Sequence, residues 1–297
     1  MEAKEIKISN IEELDTIINC INEKINSIKE NIKDERKGKW KLYFRGEAKK
    51  YDEVNASIFR DDFLLKNEGE YLRSLLKNAN LGNKLSLVEL GKIQHYGGCT
   101  RLLDFTKNFN VALYFVCCEH DIEDGFVYCY KTESIDDENS EICKILSEFT
   151  FLESHNLEQG LQQISRNHNK DITEIIDIVH RDWFIDFALL RNENLRMTRQ
   201  EGLFLWMGDT NIRSESREKG KAAPLSDENG RGKEYSGVIM KVKIPKELKG
   251  EIRKYLRSSR PYTKEHLIPD EPNGAGINFH SAERKYFEEL IAARNVK

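Results

Sequence analysis

Residues 94–116, QHYGGCTRLLDFTKNFNVALYFV, set six chemically capable side chains against a long apolar run. Gln94, His95, Tyr96, Arg101, Asp104 and Thr106 all precede the apolar NVALYFVCC at 110–118. A polar, glycine-punctuated turn beside a buried element is how a chain fixes functional groups at the rim of a core. Just upstream, Ser86-Leu87-Val88-Glu89 is a capping box that opens a helix through about Tyr96, and Gly97-Gly98 ends it. His95 and Tyr96 then lie at a helix C-terminus, where the dipole favours a protonated imidazole. Residues 100–106 read as the turn, with Asp104 either capping the next element or holding Arg101. The apolar run is a buried helix or strand, which periodicity does not separate.

YFRGE at 43–47 is the counterpart of this stretch. Lys39 to Phe44 alternates like a strand, and Arg45-Gly46-Glu47 closes it. An arginine beside glycine at a strand end suits a phosphate or carboxylate, because the guanidinium fork is planar and always charged and glycine lets a ligand approach the backbone. The same spacing also fits a surface arginine paired with a neighbouring acid. A third constellation is LRMTRQEGLFLWM at 195–207, which joins Arg196, Arg199, Gln200 and Glu201 to a strand-like end.

Outward from these, the pattern is that of a globular chain with one large α+β domain. Charged residues make up 33% of the 297 and hydrophobic ones 39%, which argues against extensive disorder. The net charge of −4 does not favour a nucleic-acid partner. No apolar run has membrane-span length, and MEAKEIKISNIEEL has no signal-peptide core. Six cysteines without metal spacing read as reduced thiols of a cytoplasmic protein. Ser9-x-x-Glu12 opens an amphipathic helix over 9–33, whose isoleucine stripe packs on the domain or serves as a docking or self-association face. KDERKGK at 33–39 ends it. The pattern further predicts helices over 68–80, 156–168 and 171–191, strands over 125–130 and 237–244, a helix after Pro245 and a last helix over 281–294. It also predicts a long loop over 208–236. The domain division is 1–37 for the helical segment and 38–297 for the body.

YFRGE, SIFR at 57–60, QHYGGCTRLLDFT at 94–106 and ALYF at 112–115 together resemble the FRG domain family, named for a Phe-Arg-Gly motif that is Phe44-Arg45-Gly46 here. RQEGLF at 199–204 is similar to a further family element of the form Q-x-G-x-F. The chain departs from the family pattern with Gly98-Cys99 in place of Leu-Pro, Phe105 in place of Trp, and Asn108-Phe109 in place of Asn-Pro. The resemblance implies a bacterial or phage-associated protein in a defence or toxin setting, and no fixed reaction comes with it.

Three functions follow from these motifs. The first is an enzyme acting on a nucleotide, with NAD-dependent ADP-ribosyl transfer foremost, on small mixed or antiparallel sheets flanked by helices as in ADP-ribosyltransferases. By similarity to the arginine-type members of that superfamily, Arg45 holds the phosphates or ribose, while His95 and Tyr96 supply the ribose contact and the ring stack. Glu201 is the acid that stabilises the transition state, with Glu283 as the alternative. Arg101, Asp104, Thr106 and Gln200 complete the substrate contacts, and NAD enters as substrate, with no permanently bound cofactor and no metal. The second function is a non-catalytic sensor that binds a phosphorylated ligand or a phage component. The third is an RNA-acting toxin with His95 as general base and Arg101 as phosphate clamp.

Overall fold

The computed structural model describes residues 4–30, 41–51, 55–79, 84–152, 157–192, 194–208, 237–259, 262–269 and 282–288. KDERKGK at 33–39 lies outside these residues, as does the expected long loop beyond Gly208 up to 236. Seven strands form one mixed sheet: β1 (Lys4–Lys7), β2 (Lys41–Glu47), β3 (Leu102–Thr106), β4 (Gly125–Thr132), β5 (Trp183–Ile185), β6 (Gly202–Trp206) and β7 (Gly237–Ile244). Their order is β1-β7-β4-β2-β3-β6-β5, with β1 parallel to β7 and every other pair antiparallel. The α+β expectation holds, with one continuous sheet in place of several small ones.

Side chains alternate across this sheet and both faces are covered. Tyr43, Phe105, Tyr128, Tyr130 and Phe184 face one core. Tyr43 stacks on Phe184 at 5.0 Å, and Phe105 meets the same ring edge-on at 4.9 Å. This core also takes side chains from α2 (Asp62–Lys66), α3 (Glu68–Asn78), α4 (Leu87–His95), α6 (Glu141–Thr150), α7 (Leu157–His168), α8 (Ile172–His180), α9 (Ala188–Asn192) and α10 (Leu195–Arg199). Leu42, Phe44, Val127, Cys129, Val242 and Ile244 face the second core. There they meet α1 (Ile11–Glu30), α5 (Phe109–Cys117), α11 (Lys249–Ser259) and α12 (Lys264–Leu267).

The apolar run after Asp104 is therefore a helix, α5, capped by Asn108 Oδ1, which accepts from the Asn110 amide at 3.0 Å. In α1 the cap sits one residue later than the sequence pattern suggests. Asn10 Oδ1 accepts from the Glu13 amide at 2.9 Å, and the Glu13 carboxylate accepts from the Ser9 amide at 2.7 Å. Leu14, Ile18 and Ile21 of its stripe are buried in the second core.

Two expectations fail for packing reasons. Residues 100–106 are not simply a turn, because Leu102–Thr106 is strand β3, paired residue for residue with β6 from Leu102↔Trp206 to Thr106↔Gly202. Residues 171–191 do not make one helix. The α8 helix ends at His180, Arg181 turns extended, and Trp183–Ile185 leaves to pair with β6. The edge of β6 offers ladder bonds and an aromatic bed that outweigh a helical apolar period.

Candidate functional site

β2 and β3 are neighbours in the middle of the sheet, yet their ladder has a single register pair, Phe44↔Thr106. Where the ladder stops, Arg45 spans the two strands. Its Nη1 donates to the Asp104 carbonyl at 2.9 Å and its Nε to Glu47 Oε1 at 3.2 Å. A cavity of about 460 Å³ opens at this break. Phe44 to Ala48 and Tyr51 line it on one side, and Asp104, Phe105 and Thr106 on the other. Val111, Ala112, Phe115, Cys118 and Glu119 close it from α5 and its C-terminal turn, while Arg60, Arg196, Gln200 and Ile268 complete the wall.

Gly46 is what lets α5 lie so close to β2. A Cβ at this position would stand 1.9 Å from the Ala112 carbonyl oxygen, well inside contact distance, so only glycine permits the approach. Glu47 follows Arg45 by two residues and so points to the same face. Its side chain is only 2% exposed against 22% for Arg45. One carboxylate oxygen is held by Arg45, while Oε2 is buried without a hydrogen-bond partner among the described residues. Burial pushes the Glu47 carboxyl above the usual carboxylate range, and Arg45 and then Lys241 pull it back. A carboxyl with a lifted pKa beside a fixed guanidinium in a cleft is the environment in which proton-transfer groups are found.

The remaining walls are tied in place by hydrogen bonds. Gln94 Nε2 donates to Asp104 Oδ2 at 3.0 Å, and its Oε1 accepts from the Thr100 hydroxyl at 2.6 Å. Thr106 donates to the Gln200 carbonyl at 2.6 Å, and Gln200 Nε2 donates to the Leu267 carbonyl at 2.8 Å. Ser57 and Thr100 bond to each other through Ser57 Oγ, which accepts from the Thr100 amide at 3.0 Å and donates to its carbonyl at 3.2 Å. The Lys249 ammonium, fully buried at the start of α11, donates to the carbonyls of Ala48, His120 and Glu119 at 2.6, 2.8 and 3.1 Å. It thus joins two rims of the cavity.

Of the residues singled out from the sequence, Arg45, Asp104, Thr106, Arg196 and Gln200 meet in this cavity, and Gln94, His95, Tyr96, Arg101, Arg199, Glu201 and Glu283 are not among its lining residues. Arg101 is a structural residue. Its side chain is wholly buried and its Nε donates to Glu68 Oε1 at 2.7 Å. Its Nη2 pairs with the other oxygen of Glu68, and Nη1 donates to the Met207 carbonyl at 3.0 Å. The guanidinium also lies 4.7 Å from the Trp206 ring centroid and 5.1 Å from that of Phe149. So placed, it cannot clamp a phosphate.

His95 and Tyr96 end α4 and pack edge-on at 4.8 Å. Glu201 is in a left-handed turn, φ 46°, between α10 and β6, and its carboxylate accepts from Asn108 Nδ2 at 2.6 Å. Glu283 accepts from the Tyr71 hydroxyl at 2.7 Å. The sequence reading gave no role to Glu47, Tyr51 or Arg60. For Glu47 the signal was available, since the strand period places it beside Arg45.

Among the described residues no group of three or more His, Cys, Asp or Glu side chains could hold a metal ion. No described helix is long and apolar enough to cross a membrane. All six cysteines are free thiols. The family model of the FRG domain matches residues 40–125, which includes β2, β3, α5 and thus much of the cavity wall. No curated protein and no solved structure matches the chain.

Proposed function

We propose that the protein binds and acts on a nucleotide held in the cavity between β2 and β3. The observation that carries this reading is the meeting of Arg45, Arg60 and Arg196 with Tyr51 in one cavity of about 460 Å³. That volume lies within the range of small-molecule sites, about 300–1,000 Å³. Guanidinium groups suit phosphate oxygens, and the half-exposed ring of Tyr51 offers a stacking face for a base. Asp104 then accepts from a ribose hydroxyl.

The reaction carried forward from the motif resemblance is NAD-dependent ADP-ribosyl transfer in a defence or toxin setting. Asp104, the carboxylate on the β3 side of the cavity, replaces Glu201 as the acid of the site, and Tyr51 replaces Tyr96 as the stacking ring. In this reading Arg45 orients both the ligand and the acid, a positional effect of the kind that supplies several kcal/mol of rate enhancement. The test is NAD consumption by purified protein, followed as nicotinamide release, alongside calorimetric titration with ADP-ribose. Arg45→Ala should lose both turnover and binding, while Glu201→Gln should keep them. Retained binding and turnover in Arg45→Ala would place the nucleotide elsewhere. Tight ADP-ribose binding with no nicotinamide release over long incubation would make the protein a sensor, with the same residues serving recognition alone.

A further inference from the structure

We infer that an anionic ligand enters this cavity together with a proton, which Glu47 takes up as the ligand's charge draws on Arg45. The inference rests on the nucleotide reading above and concerns how that site is regulated by pH.

Arg45 serves two partners at one place. Its guanidinium lines the cavity and is partly exposed, yet its Nε is the group that holds Glu47 Oε1, at 3.2 Å. Glu47 is nearly inaccessible and its second oxygen has no hydrogen-bond partner among the described residues. The charge of this carboxylate is thus supported chiefly by a cation that it shares with the ligand.

The other charged and titrating groups around it do not take over that support. On β7, Lys241 is the second positive influence, but its ammonium is engaged by Glu5 at 3.3 Å and lies over the rings of Phe126 and Tyr128. On β4, the Tyr128 and Tyr130 phenols are held neutral by burial. The α5 segment FNVALYFVC, packed on the opposite face at Gly46, brings no charged side chain. Arg60, Arg196, Asp104 and Glu119 lie around the same cavity, and their formal charges cancel.

Two anions on one guanidinium in a desolvated site cost more than one. Protonating Glu47 removes the second. The proton comes from solvent, and no other bond is made or broken. Burial already lifts the Glu47 carboxyl above its ordinary value, which brings this uptake closer to neutral pH. The sign follows from linkage. The carboxyl titrates at a higher pH in the complex than in the free protein, so between those two values binding takes up a proton and affinity falls as pH rises. For one full proton the slope is about tenfold per pH unit.

The experiment is calorimetric titration of the full chain with ADP-ribose, a probe whose pyrophosphate diester does not titrate near neutral pH. It is run in buffers of differing ionisation enthalpy from about pH 5 to about pH 8. The expected result is an apparent enthalpy that varies linearly with buffer ionisation enthalpy, with the sign of proton uptake. In Glu47→Gln binding should persist and the slope should vanish. Should that variant not fold, Lys241→Met provides a second arm, because loss of this cation moves the uptake window to higher pH. Binding with no buffer dependence at any pH, or the same uptake in Glu47→Gln, overturns the inference and leaves the nucleotide site standing. Failure of the wild-type protein to bind ADP-ribose at any pH overturns the nucleotide reading, and this inference with it.

Discussion

Replacing Arg101 by methionine tests whether this residue belongs to the core or to the site. The guanidinium makes a two-pronged pair with the carboxylate of Glu68, a bond to the Met207 carbonyl, and face contacts with Trp206 and Phe149. Removing one partner of a buried pair leaves the other charge stranded and costs about 3–5 kcal/mol. At about 2 °C per kcal/mol for a chain of this size, Arg101→Met should melt about 6–10 °C lower. Glu68→Met should cost a similar amount. The double replacement should recover most of the loss, since a buried ion pair and a well-packed apolar pair differ little in net stability. It should still fall about 1–3 kcal/mol short, because the Met207 carbonyl loses its donor. The assay is a double-mutant cycle by urea denaturation, with ADP-ribose titration of each variant that remains folded. Loss of ligand affinity in Arg101→Met at unchanged stability would refute this, as would a double variant as unstable as the sum of the singles.

The same methods check three further outcomes. Gly46→Ala puts a methyl group 1.9 Å from the Ala112 carbonyl. It should cost about 1–3 kcal/mol or more as α5 is pushed off β2, and ligand titration should show a distorted site. Lys249→Met strips a donor from the buried Ala48 carbonyl and from the part-buried carbonyls of Glu119 and His120, for a loss of about 1–3 kcal/mol in denaturation. Hydrogen exchange should show the effect first at Ala48 and at 119–120. Glu47→Gln should raise the melting temperature near neutral pH and not at about pH 4. Because the folded-state pKa of Glu47 is raised, its contribution to wild-type stability is complete below the ordinary carboxylate value and is lost as pH rises through the raised one. A stability gain independent of pH would contradict this.

The sequence shows where groups meet better than it shows what each does. The alternation in YFRGE placed β2, and the FRG-like motifs brought Arg45, Asp104 and Thr106 into one reading; these three line one cavity. Gln200, from a distant motif, joins them because β3 pairs with β6 and Thr106 donates to the Gln200 carbonyl. Arg101 and Asp104 could not be told apart by spacing, since both are charged residues of one short segment. Only the burial of Glu68 opposite Arg101 makes one an anchor and leaves the other at the cavity. Trp183–Ile185 read as helix because its apolar residues keep the period of α8, and nothing local reveals the open edge of β6. Glu201 stood next to a cavity residue in sequence, but the left-handed turn at its own backbone hands its carboxylate to Asn108.

The position of β7 has a consequence for biosynthesis. It lies between β1 and β4, so the middle of one flank of the sheet is made of chain that emerges long after both neighbours. From Thr132 to Ile244, at translation speeds of about 5–20 residues per second, β4 waits roughly 5–20 s with a bare rim and β1 without a mate. A nascent chain halted in that interval presents raw hydrogen-bonding groups and half of an apolar layer to its neighbours on the polysome. Yield on overexpression should therefore depend on how quickly the ribosome traverses the segment ahead of Gly237.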